Sequence, residues 1–381
     1  MCVVAAEGAG LVGFDTLPVV LGAIVDGLGI DEARAGRIAS LELGSMALAA
    51  LVLAPRVSGL SLRALALLAA GIAAAAHTIS MLVDGFAALA TLRAIAGLAE
   101  GALVASGNAL IATSVDPDRL AARMQLVAGS AGALLLVILP NVVAVTGHRG
   151  AFGVMALIVL ACTPLLLWMP RASAARIATV QLPARGRALP VLAAGLILTA
   201  GEGAMWAFLE RIGVHVGVTP VSIGALLGAI TMLGLLGAAA AAWLGTRLGR
   251  RLPIAAGICA QAASCWSIAT ADAPTAYVLG GIGYGLSFFF VQPYLLGTAA
   301  VVDPSGRVAA GYAGVVLVGG AIGPAVGGAL VAAFSYEALG WQLLVASAAA
   351  LAAIWPLATR LDRDRAAGAP ELRHPAAQPE P

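Results

Sequence analysis

The stretch DGFAALATLRAIAGLAEGALVASGN, residues 84–108, places an arginine and a glutamate inside a long apolar run. At about 1.5 Å of rise per residue, an α-helix of this length crosses a hydrocarbon core of about 30 Å. Arg93 and Glu100 are seven residues apart, so they return to nearly the same face of such a helix. Charged residues within a membrane generally face a bundle interior or water. The stretch therefore predicts a membrane helix whose polar face is turned toward other helices or a cavity.

The whole chain has the composition of a membrane protein. Of its 381 residues, 61% are hydrophobic and 10% are charged, and the mean hydropathy is +0.99, whereas soluble domains contain about 25% charged residues. A backbone in lipid must satisfy its own hydrogen bonds, and no alternation of polar and apolar residues indicates barrel strands. The sequence therefore predicts an all-α polytopic membrane protein with twelve transmembrane helices. The apolar runs lie at 2–27, 35–54, 61–83, 85–113, 120–145, 150–169, 190–212, 220–244, 252–271, 274–302, 307–334 and 338–359.

The arginines predict the orientation of the chain. All 21 basic residues are arginine, and if the N-terminus is cytoplasmic, sixteen lie on the cytoplasmic side and four on or near the other. Cytoplasmic loops are enriched in Lys and Arg, so both termini are predicted to be cytoplasmic, without a cleaved signal peptide. The arginine-only, alanine-rich composition favours the cytoplasmic (inner) membrane of a bacterium.

Two short repeats indicate a doubled chain. VDPDR at 115–119 recurs as VDPSGR at 302–307, and GIDEARAG at 29–36 matches GVTPVSIG at 217–224, so the displacements are 187 and 188 residues. Parallel six-helix repeats occur in transporters that bind substrate near the membrane midplane between the repeats. We expect an N-terminal six-helix bundle, a cytoplasmic linker, a C-terminal six-helix bundle and a disordered cytoplasmic tail, at 1–170, 171–189, 190–360 and 361–381.

Three motifs carry a resemblance to a known family. TRLGRR at 246–251 resembles the loop motif D-R-x-G-R-R with Thr246 at the usual aspartate, RAIAG at 93–97 resembles R-x-x-x-G, and GGAIGPAVGG at 319–328 fits G-x-x-x-G-P-x-x-G-G. On these motifs the chain resembles a major facilitator superfamily (MFS) transporter over nearly its whole length. In that family the glycine–proline motif is associated with antiporters when it lies in helix 5, whereas here it lies in helix 11, so it does not settle the transport direction.

The resemblance implies conformational roles for the residues of two motifs. Small residues four apart also let helix backbones approach closely in lipid, so 319–328 is equally interpreted as a helix-packing face. The loop arginines either latch one conformation by binding carboxylates or helix ends, or act only as topology signals. The residues concerned are Gly245, Arg247, Gly249, Arg250, Arg251, Gly319, Gly323, Pro324, Gly327 and Gly328.

Five charged residues are candidates for proton coupling and for the wall of the substrate cavity. The resemblance places helices 1, 4, 7 and 10 around a central cavity, with Asp15, Arg93, Glu100 and Glu202 near it, while Glu42 lies at a depth similar to that of Arg93. Carboxyl groups at a low-dielectric site exchange protons near neutral pH. The alternative is structural: an Arg93–Glu42 pair locks the first half, and Asp15 caps a broken turn before Pro18.

Four further residues are candidate substrate contacts: Asn108, Trp206, Tyr284 and Gln292. Fifteen of the 19 aromatic residues follow residue 190, whereas the acids cluster in the first half. This predicts that protons bind on helices 1 and 4 and that substrate stacks on helices 7 and 10. Aromatic faces beside carboxylates suit a cation. Alternatively, the aromatic rings pack helices and the amides bridge them.

Together these features predict a secondary active transporter that works by alternating access. We expect it to be proton-coupled and to favour a cationic or neutral amphipathic small organic molecule, as in drug or metabolite efflux. One alternative is an uptake symporter for an organic acid bound by Arg93, and another is a non-transporting sensor or partner protein with this fold. The sequence contains no metal-ligand cluster, nucleotide-binding loop or Ser/His/Asp set, so we expect no enzyme, no cofactor and no nucleic-acid partner. The expected partners of the functional monomer are its substrate, protons and the lipid bilayer.

Overall fold

A computed structural model describes residues 1–114, 116–171, 185–303 and 305–367, and within these ranges the chain is almost entirely helical, without a β-strand. This confirms the predicted all-α fold. A short 3-10 turn at Val57–Gly59 precedes the fourth helix. The helices are α1 (Cys2–Gly10), α2 (Val12–Leu28), α3 (Glu32–Leu53), α4 (Leu62–Ser80), α5 (Phe86–Ala112), α6 (Pro117–Leu166), α7 (Arg185–His215), α8 (Pro220–Leu244), α9 (Arg251–Ala269), α10 (Pro274–Val302), α11 (Arg307–Ala333) and α12 (Glu337–Ala366).

Eleven helical segments in the described ranges are long and apolar enough to cross a membrane. The first combines α1 and α2, which are separated at Leu11, where φ is −103° and ψ is 2°. The 50 residues of α6 would extend about 75 Å as one straight helix, more than twice the hydrocarbon thickness of about 30 Å. Gly147, with φ 64° and ψ −158°, interrupts α6. Because α6 therefore supplies two crossings, the eleven segments account for the twelve predicted helices.

Polar caps and a glycine set several helix ends. The Asp31 carboxylate accepts a hydrogen bond from the Arg34 N–H at 2.7 Å and begins α3. The Thr219 hydroxyl accepts from the Ser222 N–H at 3.3 Å and begins α8. Such caps satisfy backbone donors that the first helical turn leaves unpaired. Gly29 ends α2 in the left-handed region, with φ 61°, where a side chain would be strained.

Both described ends of the chain lie at the same end of the bundle, because the number of crossings is even. We call this the terminal end; it carries Met1, the loop 54–61, the loop 245–250 and Ala367. The opposite end, which we call the distal end, carries the connections around Gly29, Gly147 and Gly217.

Helices pair in the same way in the two halves of the chain, α1–α6 and α7–α12. In the first half α2 packs against α6, α3 against α5, and α4 against α5 and α6. In the second half α7 packs against α11, α8 against α10, and α9 against α10 and α12. Three helix pairs join the halves: α3 with α11, α6 with α8, and α2 with α7.

Two expected boundaries differ from the structure. Helix α7 begins at Arg185, inside the linker predicted at 171–189, and α12 continues to Ala366, so residues 361–366 are helical rather than part of a disordered tail. The rest of that linker and tail, 172–184 and 368–381, lies outside the described residues, as do Val115 and Pro304 of the repeated VDP motif.

Candidate functional site

Arg93 lies at the centre of a buried polar cluster in the first half. Its Nη1 is 3.0 Å from Oε1 of Glu42 on α3 and 3.0 Å from Nδ1 of His77 on α4. Its Nη2 donates to the Ser80 hydroxyl at 2.8 Å, and its guanidinium lies 4.6 Å from the centre of the Phe152 ring on α6. The side chain is fully buried. Four helices of the first half therefore meet at Arg93, and its pairing with Glu42 is one that the sequence suggested.

Glu100 joins this cluster through His77. Its Oε1 is 3.2 Å from Nε2 of His77, and both side chains are fully buried. A Cβ at Gly13 of α2 would lie 2.8 Å from Oε2 of Glu100 and 2.8 Å from Oε1 of Glu42. The first span therefore approaches both carboxyl groups as closely as a glycine allows. We call Glu42, His77, Arg93 and Glu100 the first-half cluster.

Asp15 lies beside the first-half cluster rather than in it. A Cβ at Gly132 of α6 would be 3.2 Å from Oδ2 of Asp15, and Asp15 is close enough to Glu100 for an electrostatic interaction. The suggestion that Asp15 caps a broken turn before Pro18 is wrong, because Pro18 lies inside α2 and the helix breaks at Leu11 instead.

A second buried carboxyl group, Glu202 on α7, is surrounded by neutral groups. Its Oε1 accepts from Gln261 Nε2 at 2.7 Å and its Oε2 from Gln292 Nε2 at 3.2 Å. The Tyr312 hydroxyl donates to Gln292 Oε1 at 2.6 Å, and the Tyr284 hydroxyl lies 3.4 Å from the Glu202 main-chain oxygen. We call these five residues the Glu202 cluster; three helices of the second half besides α7, namely α9, α10 and α11, supply its neutral side chains. In the described part of the chain no cation forms an ion pair with Glu202.

The four predicted substrate contacts lie in different parts of the structure. Tyr284 and Gln292 both belong to the Glu202 cluster, whereas Asn108 lies exposed on α5. Trp206 joins the two halves, because its Nε1–H donates to the main-chain oxygen of Phe14 at 3.1 Å.

The glycine–proline motif of α11 lies at one of the three contacts between the two halves. On one side Gly319 and Gly323 lie against main-chain atoms of α7, where a Cβ at Gly323 would be 2.6 Å from the Ala200 oxygen. On the other side Gly328 lies against the main chain at Glu32, and the Pro324 oxygen lies against Gly36 of α3. Gly327 packs on Ala204. These contacts match the interpretation of 319–328 as a helix-packing face.

The loop between α8 and α9 is held by α12. Gly245 and Gly249 have φ values of 52° and 72°, which favour glycine. The Asp362 carboxylate accepts from the main-chain N–H groups of Arg250 at 2.7 Å and Arg251 at 3.0 Å. Asp362 of α12 therefore supplies a carboxylate to a loop in which Thr246 replaces the usual aspartate of the motif.

The arginine side chains of this loop also contact neighbouring helices. The guanidinium of Arg247 lies 5.1 Å from the Trp243 ring centre, and that of Arg251 lies 5.1 Å from the Trp355 ring centre. Arg365 of α12 donates to the main-chain oxygen of Thr246. These contacts fix the loop to its own half.

Polar groups close the distal end across the two halves. Arg211 Nη1 lies 2.9 Å from both carboxylate oxygens of Asp26. The Tyr336 hydroxyl donates to Glu32 Oε1 at 3.1 Å, and burial raises the pKa of Tyr336 to about 12, so the hydroxyl keeps its proton. The Glu210 carboxylate lies against Gly22 of α2. We call the Asp26–Arg211 pair the distal latch.

Another ion pair at the distal end stays within the first half. Arg149 Nη2 donates to both carboxylate oxygens of Asp84, at 3.0 and 2.8 Å. These hydrogen bonds hold the pKa of the exposed Asp84 carboxyl below its usual value.

Comparisons with known proteins agree with this architecture. The sequence profile of the Major Facilitator Superfamily matches residues 8–313 and 191–379. The crystal structure of the nucleoside transporter NupG is similar over 93% of this chain and 97% of that one, with 15% identity and a TM-score of 0.74. A mutant of the peptide transporter POT covers 95% of this chain and 94% of its own, with 15% identity and a TM-score of 0.75. Among curated proteins no significant match was found.

Twelve crossings in two similarly paired halves are the architecture of a multi-pass membrane transporter. The family match extends over nearly the whole sequence, and the chain belongs to the major facilitator superfamily. At 15% identity the similarity to the two solved transporters is one of fold.

His77, Gln261 and Glu7 are among the buried polar residues that were not identified from the sequence. His77 is a single histidine in an alanine-rich run, Gln261 is a single glutamine in α9, and Glu7 is 3% exposed on α1, where it lies against Gly107 of α5. Their one sequence signal is a polar residue inside an apolar run, which the same rule applied to Arg93 and Glu100 would have found.

Proposed function

We propose that the protein is a proton-coupled secondary transporter of a small organic molecule and favours a cationic or neutral amphipathic substrate, as in drug or metabolite efflux. The observation that supports this most directly is the Glu202 cluster. There a buried carboxyl group is hydrogen-bonded to two amides. An ionised carboxylate is costly to bury without a cation. A proton or a cationic substrate supplies the missing compensation, and competition between them at one carboxyl group couples their movements in opposite directions.

The first-half cluster supports a proton site and disfavours an anion site. Arg93 is fully buried and already contacts Glu42, His77, Ser80 and Phe152. Of the three guanidinium nitrogens of Arg93, only Nε lacks a hydrogen-bond partner among the described residues. A substrate carboxylate bound to either terminal nitrogen would break one of these contacts and leave a buried group unpaired, which costs about 1–3 kcal/mol or more for charged groups. Organic-acid symport through Arg93 is therefore the less favoured candidate.

Alternating access would proceed by rocking of the two halves. The distal latch and the Trp206–Phe14 hydrogen bond hold α2 and α7 together in this conformation. Opening toward the distal end requires both contacts to break while α3 stays packed on α11 and α6 on α8. We further propose that the terminal end faces the cytoplasm of a bacterium, in agreement with its arginines, and that one chain is the functional unit.

The test is proton flux in proteoliposomes that contain the purified protein and an internal pH dye. Vesicles receive matched aromatic cations and anions under proton gradients of either direction. We expect cation-dependent proton flux that is lost in Glu202→Gln and kept in Glu337→Gln, which makes the same chemical change at an exposed acid. Flux with anions only, abolished by Arg93→Ala, would replace the proposal with organic-acid symport. Substrate binding without flux would identify a non-transporting sensor.

A further inference from the structure

His77 occupies a position between the Arg93 guanidinium and the Glu100 carboxyl group. Its Nδ1 lies 3.0 Å from Arg93 Nη1, and its Nε2 lies 3.2 Å from Glu100 Oε1. A guanidinium has only hydrogen-bond donors. Nδ1 must therefore accept from Arg93, and a neutral imidazole must then carry its hydrogen on Nε2. That hydrogen lies on the side of the ring that faces Glu100, although Nε2 and Oε1 do not form a hydrogen bond in this conformation.

The Arg93 guanidinium is held in the orientation that requires the Nε2–H tautomer of His77. Its second terminal nitrogen donates to Ser80, its first is shared with Glu42, and its planar face lies on the Phe152 ring. These partners come from α3, α4 and α6, so three helices fix the guanidinium against His77.

Within the part of the chain that the structure describes, the Glu100 carboxyl group has no hydrogen-bond donor in this conformation, and the His77 ring offers it one at 3.2 Å. Among the described residues neither carboxyl oxygen of Glu100 nor Nε2 of His77 has a hydrogen-bond partner. The charged or titratable groups around the pair are Glu42, Arg93 and Asp15. Gly13 closes the side toward α2, where any larger residue would displace the carboxyl groups of Glu42 and Glu100.

We propose that His77 is a positioning residue: Arg93 holds it as the Nε2–H tautomer, and it stabilises the carboxylate that Glu100 becomes when its proton leaves. The inference rests on the proposed function for its role in transport, whereas the tautomer itself does not. His77 stays neutral in this scheme. It transmits the polarisation of the Arg93–Glu42 pair to Glu100 and does not carry the transported proton.

Two measurements on the full-length protein in lipid test this proposal. The first is nitrogen-15 NMR of histidine-labelled protein, with the His77 signals assigned by their loss in His77→Gln. We expect an unprotonated Nδ1 and a protonated Nε2 at neutral pH. An Nδ1–H tautomer, or a doubly protonated ring at pH 7, would overturn the proposal.

The second measurement is an infrared pH titration of the Glu100 carboxyl band, identified by its absence in Glu100→Gln. In His77→Leu, which removes the donor, we expect the titration midpoint to rise by about one pH unit or more, because a hydrogen bond to a charged group changes proton affinity at least about tenfold. In His77→Gln, whose amide is again a donor, the midpoint should stay closer to that of the unmodified protein. Equal midpoints in all three proteins would overturn the proposal.

Failure of the proposed function can be distinguished from failure of the His77 proposal. A protein that moves no protons in vesicles but shows the expected tautomer and titration shift would refute proton coupling and support the role of His77. If His77→Leu does not fold, the tautomer and the comparison of His77→Gln with the unmodified protein decide the question, and a midpoint raised by a full unit in His77→Gln would count against it.

Discussion

Removing the distal latch should shift the protein toward the conformation that is open at its distal end. Arg211→Gln removes the positive charge of the guanidinium that makes two 2.9 Å contacts with the Asp26 carboxylate. The Arg211 side chain is 14% exposed and that of Asp26 is 68% exposed, so we take the upper end of the range for exposed pairs, about 1 kcal/mol. Because 1.4 kcal/mol is a tenfold change in an equilibrium constant, the ratio of distal-open to distal-closed protein should rise about fivefold.

The assay is a distance measurement by electron spin resonance between labels on the two halves at the distal end. Cysteines replacing Leu82 and Val221, both exposed, carry the labels in a background without native cysteines. Arg34→Gln is the matched control, because Arg34 pairs with Asp31 at the same end but within one half. We expect a larger long-distance population in Arg211→Gln only. An unchanged distribution in that variant, or an equal shift in Arg34→Gln, would refute the reasoning.

Two further substitutions test close contacts between helices. In Gly97→Ala the new methyl group would clash with the main-chain oxygen of Glu42. Helices α3 and α5 must then separate, so the free energy of unfolding should fall by about 1–3 kcal/mol. Thermal unfolding in detergent measures this, and the control Gly44→Ala, where the added methyl group meets open space, should show no such loss. Trp206→Phe keeps a ring but removes the donor to the main-chain oxygen of Phe14. The free energy that favours the distal-closed conformation should therefore fall by about 1 kcal/mol. Unchanged distances between the spin labels in this variant would contradict the prediction.

Helical periodicity predicted which face of α5 is polar, but it could not predict every partner on that face. The seven-residue spacing of Arg93 and Glu100 placed both on one side, and both are fully buried. Depth in the membrane suggested Glu42 as a partner of Arg93, since both residues lie at a similar level. The link through His77 depends on the packing of α4 against α5, which no spacing within one helix contains.

In the second half the sequence also identified a buried carboxyl group without identifying all of its partners. The sequence identified Glu202 as a candidate for proton coupling, and the structure places it in contact with neutral groups. Gln292 was identified as polar, but Gln261 was not, because a glutamine in a membrane helix bridges helices as readily as it binds a ligand. Only the tertiary arrangement shows that both amides converge on one carboxyl group.

Pro18 illustrates how a local sequence feature acquires a role in the contact between the halves. Proline has no N–H, so Pro18 leaves the main-chain oxygen of Phe14, four residues earlier, without its usual helical donor. The sequence suggested a broken turn at this point, yet α2 continues through Pro18. The oxygen instead accepts a hydrogen bond from the Trp206 indole of α7. Because a buried carbonyl group without a donor is costly, this proline favours the conformation in which α2 and α7 are in contact, and opening of the distal end must supply water or another donor to the Phe14 oxygen.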